Sequence, residues 1–474
     1  MMTRREVFGA FAGAASAFPF TGQAGAGRKP NIVLFLADDL GVGDVRCYFS
    51  ERALTPNIDS LAANGVKFTD GYVSAAVCSP SRAGLLTGRY QQRFGHEFNN
   101  GPPKRDLEER LGLPATEVIL PKLLQSAGYR TGMVGKWHLG SAPEFHPIDR
   151  GFDEFFGFLP GANGYVTSKT PNSFWASTSD TPVVPLRPQR NFPVLRGKEV
   201  VDEDEYLTDA FAREAAAFVD RHKERPFFLY VPFNAVHTPL HVIQRYLDRF
   251  ADVTDVKRRT LLAMTSAMDD AVGAVVRKVR DIGQEDNTIF IFLSDNGCPT
   301  YTQAGSNGPL NGSKITYYEG GIRVPFLMQW KARLKGGAVY KDPVISLDLF
   351  PTILNAAGAQ APKDRSIDGV DLVPFITGKN RGQPHPTIFW RARPAHAVRK
   401  GPWKLIEVGD SHRRLYNLES DLGEKRDLAG ANPKMVKELQ EAYTQWDATM
   451  VSPRWEPRGS VVVPVNGNEI RWSV

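Results

Sequence analysis

The segment Cys78-Ser79-Pro80-Ser81-Arg82-Ala83-Gly84-Leu85-Leu86-Thr87-Gly88-Arg89 holds the strongest chemical signal in the chain. Proline near its start and glycine near its end frame a short helix with Cys78 at the N-terminus. Backbone N–H groups there favour an anion, and Arg82 lies one turn along on the same face. Spacing alone predicts an anion site beside a thiol, and leaves a structural thiol as good a reading as a functional one. Four hard oxygen donors follow two separate apolar runs: Asp38 and Asp39 after residues 32–37, Asp295 and Asn296 after 288–293. Oxygen-only ligation favours Ca²⁺ or Mg²⁺ over zinc, although an Asp after a strand also serves as a cap or turn residue. Lys136 and His138 follow the run 131–135, His237 follows 227–231, and Lys314 sits in Asn311-Gly312-Ser313-Lys314. Taken one at a time, such loop cations are ordinarily solvated surface groups.

The elements that must position these residues alternate. Continuous apolar runs of six or so residues fit strands buried on both faces. Helical spacing recurs between them at 57–64, 120–127, 206–222 and 258–281. The expected fold is α/β: a large, mostly parallel sheet sandwiched by helices, with ligands gathering beyond the carboxyl ends of strands. Gly378, Gly382 and Pro384 mark a junction, after which short strands and a helix at 434–449 predict a smaller C-terminal domain with an antiparallel sheet. This divides the chain into residues 1–27, 29–380 and 381–474. Hydrophobic content of 42% and charged content of 23% over 474 residues are ordinary for a soluble globular protein of two domains. A net charge of +6 with no long basic run argues against a nucleic-acid partner. Three cysteines make no disulfide framework; Cys47 and Cys298 read as small buried hydrophobes.

The segment at Cys78 resembles the signature of the type I sulfatases of the alkaline phosphatase superfamily, Cys-x-Pro-Ser-Arg followed by Leu-Thr-Gly. The resemblance runs from Pro30 to about Ala429 through Thr55-Pro56-Asn57-Ile58-Asp59, Gly135-Lys136-Trp137-His138-Leu139-Gly140, Arg150-Gly151-Phe152-Asp153, Ser294-Asp295-Asn296-Gly297 and Leu415-Tyr416-Asn417-Leu418. It implies an arylsulfatase-like sulfuric ester hydrolase whose Cys78 is oxidised to formylglycine by a formylglycine-generating enzyme that reads Cys78, Pro80 and Arg82. It also implies that Asp38, Asp39, Asp295 and Asn296 hold Ca²⁺, with Mg²⁺ the lesser alternative, together with the modified residue 78. Lys136, His138, His237 and Lys314 would surround the sulfate, where cationic groups suit a departing sulfuryl group. The formylglycine hydrate is expected to attack sulfur with Ca²⁺ assistance. His237 or Lys314 would protonate the leaving alcohol, and His138 would expel sulfate by removing the second hydroxyl proton. Where many relatives present Ser or His, this chain has Leu159-Pro160-Gly161-Ala162-Asn163-Gly164, and Asn163 reads as a turn residue.

Paired arginines Arg4-Arg5, a short apolar stretch and Ala24-Gly25-Ala26 predict a twin-arginine-like export signal, hence a periplasmic or secreted enzyme without a membrane span. That setting favours a sulfated saccharide as substrate. The sugar-facing surface is expected from residues 91–100 and 160–200, with Arg93, His96, Trp137 and Trp175 better read as structural. The rival readings are a phosphonate or phosphate monoester hydrolase of the same superfamily and a non-catalytic binder of sulfated glycan.

Overall fold

Alternate side chains of the first apolar strand, β1 (Asn31–Ala37), enter two different cores. Val33, Phe35 and Ala37 face one apolar layer, and Ile32, Leu34 and Leu36 face the other. A strand buried on both faces needs apolar residues at every position, which is why the run shows no alternation. The computed structural model describes residues 28–176 and 190–473. The predicted export signal, and part of the 160–200 segment, lie outside the described residues.

The main sheet has ten strands. After β1 come β2 (Val66–Phe68), β3 (Arg130–Lys136), β4 (Glu154–Phe158), β5 (Val194–Arg196), β6 (Glu199–Val201), β7 (Phe227–Pro232), β8 (Thr288–Ser294), β9 (Phe326–Gln329) and β10 (Ala338–Tyr340). Their spatial order is β10-β2-β9-β8-β1-β7-β3-β4-β5-β6. The five central strands, β8 to β4 in that order, run parallel, and antiparallel pairs flank them on both sides. The predicted helices form at Pro56–Ala63, Leu120–Ser126, Leu207–Arg221 and Val256–Asp281. The last two pack on the β1 face that carries Val33 and Phe35. Among the described residues, no helix is long and apolar enough to cross a membrane.

A four-stranded antiparallel sheet follows: β11 (Thr387–Ala392), β12 (Ala395–Lys400), β13 (Trp403–Val408) and β14 (His412–Asn417). A helix at Pro433–Asp447 and a hairpin, β15 (Ser460–Val465) and β16 (Asn468–Ser473), complete it. The hairpin lies beyond the strands expected from sequence. Charge joins this sheet to the rest of the fold. The fully buried Lys404 Nζ lies 2.7 Å from Glu319 and 2.9 Å from Glu424. Glu319 also accepts the Tyr72 hydroxyl at 2.6 Å. Lys404→Met would leave two carboxylates facing each other out of water, so we expect it to destabilise the protein by about 3–5 kcal/mol. Urea unfolding checks this; an unchanged midpoint would show that the cluster is not held by Lys404.

Candidate active site

β1 and β8 are parallel neighbours with Ala37 opposite Ser294, so their carboxyl ends deliver Asp38-Asp39 and Asp295-Asn296 side by side. The Asp39 amide donates to Asp295 Oδ1 at 3.3 Å. Asp39 itself turns with φ of 63°, in the left-handed region that aspartate tolerates better than most residues. The backbone of Asp38 exchanges hydrogen bonds with Ala235 (2.9 Å) and Val236 (2.8 Å), which brings the loop bearing His237 to the same place. Asn296 donates its amide to Asp39 Oδ1 at 2.6 Å and to Gly297 O at 2.9 Å. Its amide oxygen is buried with no hydrogen-bond partner.

The helix Cys78–Thr87 ends where Gly88, at φ 67°, donates to Gly84 O. Arg82, wholly buried, sends Nε and Nη2 to Asp295 Oδ2 at 2.9 and 2.8 Å, and Nη1 to the carbonyl of Lys136 at 2.9 Å. Lys136 closes β3, with its Nζ 2.5 Å from Asp38 Oδ2. Lys314 Nζ lies 2.7 Å from Asp39 Oδ1 and 3.3 Å from Cys78 Sγ, which is itself 3.4 Å from Asp38 Oδ1. In this unmodified form, Sγ stands where an oxygen of a modified residue 78 would sit. His237 Nε2 is 3.7 Å from Asp39, and its Nδ1 donates to Thr238 O at 2.6 Å. His138, at φ 60°, keeps a buried Nδ1 without a partner. All ten candidate residues from the sequence therefore meet at one end of the sheet.

Three carboxylates, Asp38, Asp39 and Asp295, face three cations, Arg82, Lys136 and Lys314, in a cluster that is almost wholly buried. Burial disfavours the Asp38 carboxylate, but Lys136, His237, Arg82 and Lys314 outweigh it and hold Asp38 well below the usual range. Burial, with Asp38 beside it, pushes Asp295 up to about 6. Burial and the neighbouring Lys136 and Arg82 hold His138 well below an ordinary imidazole, and burial with Lys314 lowers His237. Lys314 stands well above its ordinary value: burial opposes its charge, and Asp39 and Cys78 outweigh burial. Two carboxylates sharing a dry site, a partnerless amide oxygen and a donor set of hard oxygens suit a divalent cation of the Ca²⁺ or Mg²⁺ type. Donor atoms of Asp38, Asp39, Cys78 and His237 lie within 4.8 Å of one another, close enough to hold a metal ion.

A cavity of about 270 Å³ opens above Cys78, His138, His237 and Lys314. Its walls come from Asn99 to Pro103, Asp106, residues 160–162, Asn191, Phe192 and Arg458. Both segments expected to face a sugar contribute. Asp106 and Arg458 had no signal in sequence: one sits in a charged helix that reads as solvated, the other in a Pro/Arg/Gly tail. Asn163 is fully engaged by the chain, accepting from the amides of Gly164, Asn191 and Phe192 and donating to Phe192 O. It folds the wall instead of facing the cavity. Trp137 is buried with its indole N–H on Phe145 O, His96 bonds Ser79, and Arg93 pairs with Asp368. These three are structural, as expected.

The chain matches the sulfatase family over residues 30–359 and the C-terminal family of N-sulphoglucosamine sulphohydrolase over 313–449. It is 36% identical to N-acetylgalactosamine-6-sulfatase of Homo sapiens over 402 residues, covering 81% of this chain and 72% of that protein. It is 34% identical to human arylsulfatase A over 472 residues, covering 89% of each. Among solved structures, Ps i-CgsB in complex with k-i-k-neocarrahexaose superposes with a TM-score of 0.81 at 35% identity, over 90% of this chain and 95% of that one. A match over most of the chain, on a fold that gathers buried acids and cations around Cys78, leads to one conclusion: this chain belongs to the sulfatase family of the alkaline phosphatase superfamily and hydrolyses sulfate esters.

Proposed function

We propose that the sulfate esters are carried by saccharides and that the ten residues around Cys78 perform the reaction. The observation that carries the substrate reading is the cavity wall: Asn99, Asn191 and Arg458 offer hydrogen bonds suited to hydroxyl and anionic groups, beside Pro160 and Phe192, which suit the apolar face of a sugar ring. Similarity to N-acetylgalactosamine-6-sulfatase and to Ps i-CgsB in complex with k-i-k-neocarrahexaose supports it. Following free sulfate across a panel of sulfated saccharides tests it; turnover confined to aryl sulfates would refute it.

Asp38, Asp39, Asp295 and Asn296, with residue 78, would hold Ca²⁺, which when bound supplies a Lewis acid for the sulfate and for the nucleophile. A formylglycine at position 78 supplies that nucleophile through its hydrate. Arg82 orients Asp295 and anchors the helix that presents residue 78. Lys136 neutralises Asp38 and, with Lys314, faces the sulfate oxygens. The two candidate proton donors to the leaving oxygen are Lys314 Nζ and His237 Nε2, the latter on a ring oriented by the bond from Nδ1 to Thr238 O. His138, which lines the same cavity as residue 78, would accept a proton from it. Mass spectrometry of the Cys78 peptide checks the modification; an active enzyme with wholly unmodified Cys78 would defeat it. Fastest turnover of a phosphonate, among sulfate, phosphate and phosphonate esters of one aryl alcohol, would favour the rival hydrolase. Residues 1–27 are assigned to export, which cell fractionation tests.

Gly161 bears on His138 directly. A Cβ at position 161 would lie 2.4 Å from His138 Nε2. Gly161→Ala must therefore push the imidazole out of place, and a displacement near 1 Å costs on the order of 10²-fold in turnover. We expect that loss in kcat with little change in thermal stability; wild-type kcat would remove His138 from the proton-transfer role.

A further inference from the structure

The cations at the cavity floor are all committed to Asp38, Asp39 and Asp295. One cation in the wall is not. Arg458 is exposed to the cavity and forms no hydrogen bond or ion pair among the described residues. Its guanidinium lies 3.8 Å from where a Cβ on Gly101 would stand, beside Asp106. Asp106, which accepts from Asn100 at 2.7 Å and Ser141 at 3.3 Å, attracts Arg458 electrostatically but makes no hydrogen bond or ion pair with it, which leaves the guanidinium N–H groups open to a ligand.

The chain goes to some length to place this arginine. Val451 and Arg454 donate backbone N–H groups to Gln92 O and Gly95 O at 3.1 and 2.9 Å. Arg391, buried and paired with Glu97, holds Val451 O at 2.8 Å. Trp455 is buried against Phe98 and Leu111, edge-on to His96 at 4.8 Å between ring centroids. Just beyond Arg458, the β15–β16 hairpin buries Val463, Val465, Ile470 and Trp472 in the core that includes Tyr317 and Tyr318. A segment pinned on both sides carries one unpaired guanidinium to the cavity wall, apart from the residues that would hold the reacting sulfate.

We infer that Arg458 is a specificity-determining residue that binds a second anionic group, on the sugar next to the one bearing the scissile sulfate. The enzyme thus prefers polyanionic saccharides to singly sulfated ones. A planar uronate carboxylate and two oxygens of a tetrahedral sulfate can each take a pair of N–H bonds from one guanidinium. This inference rests on the saccharide reading above.

The test uses purified enzyme with modified Cys78 and three disaccharides that carry the same scissile sulfate. Their second sugar is neutral, sulfated or a uronate. Wild type is expected to show higher kcat/KM for one or both anionic partners, mainly through KM. Arg458→Ala should lower that preference by about tenfold or more, and Arg458→Lys should restore only part of it. The sulfated and uronate arms tell which anion is recognised. An unaltered preference in Arg458→Ala, with wild type turning over all three, would overturn the inference and leave the saccharide reading intact. Failure of wild type on every disaccharide, with aryl sulfate still cleaved, would overturn the saccharide reading and this inference with it. Because Arg458 is exposed and unbonded, the variant should keep its melting temperature, and a melt serves as the folding control.

Discussion

Cys78→Ala is expected to lower sulfate-ester turnover by about 10⁴-fold or more while the protein stays folded, because on the proposed mechanism residue 78 is the covalent nucleophile and the whole reaction path depends on it. The side chain is buried, but it lines a cavity and contributes only a small volume, so the cost to stability should stay near 1 kcal/mol. The surrounding charges are unaffected: Lys314 keeps Asp39, and Lys136 keeps Asp38. Sulfate should therefore still bind, and inhibition by free sulfate can be compared before and after the change with a slow residual assay or by calorimetry. A fall of only 10- to 100-fold would mean that water, activated without residue 78, attacks sulfur directly. In that case Cys78 would be a wall residue, and its position at the helix start would reflect packing.

What could be read in advance follows the range of the interactions. The strand β1 and the helix at Cys78–Thr87 are legible because each is set by its own residues: an unbroken apolar run, or Pro80 and Gly88 framing a turn. The acidic pairs were legible as strand-end residues, and the parallel β1–β8 register then brings them together. Short strands were not legible. The three-residue strands β2, β5, β6 and β10 are too brief for any period to register, and each forms by pairing with a neighbour already in the sheet. The Lys404–Glu319–Glu424 cluster was equally hidden, since each member alone reads as a solvated charge. Asp106 and Arg458 belong to the same class. Their meaning comes from where the chain folds them, and family motifs cover the chemistry of the reacting group more fully than the walls that select the molecule carrying it.

Arg82→Met should be the most destabilising single change in the site. It removes the guanidinium that hydrogen-bonds Asp295 through Nε, brings Nη2 within 2.8 Å of the same oxygen and lies near Asp38, leaving both carboxylates fully buried. Breaking a buried pair in this way costs about 3–5 kcal/mol, because the remaining charge is uncompensated. The change also turns a cluster of three acids and three bases into one with excess negative charge. Metal binding should then compensate more in the variant than in wild type: a ligand that binds only the folded state stabilises it by mass action, and a more negative site binds a dication more tightly. Melting temperatures measured in a chelator and in saturating Ca²⁺ should therefore converge, the variant gaining more from Ca²⁺ than the wild type. Activity should not follow stability. Without Arg82 the helix that presents residue 78 loses its tether to the Lys136 carbonyl, and turnover should remain down by about 10²-fold or more even in saturating Ca²⁺. Equal Ca²⁺ responses in the two proteins would place the cation away from Asp38 and Asp295. Recovery of both stability and turnover would show that Arg82 serves charge balance alone and that the helix is positioned by its packing.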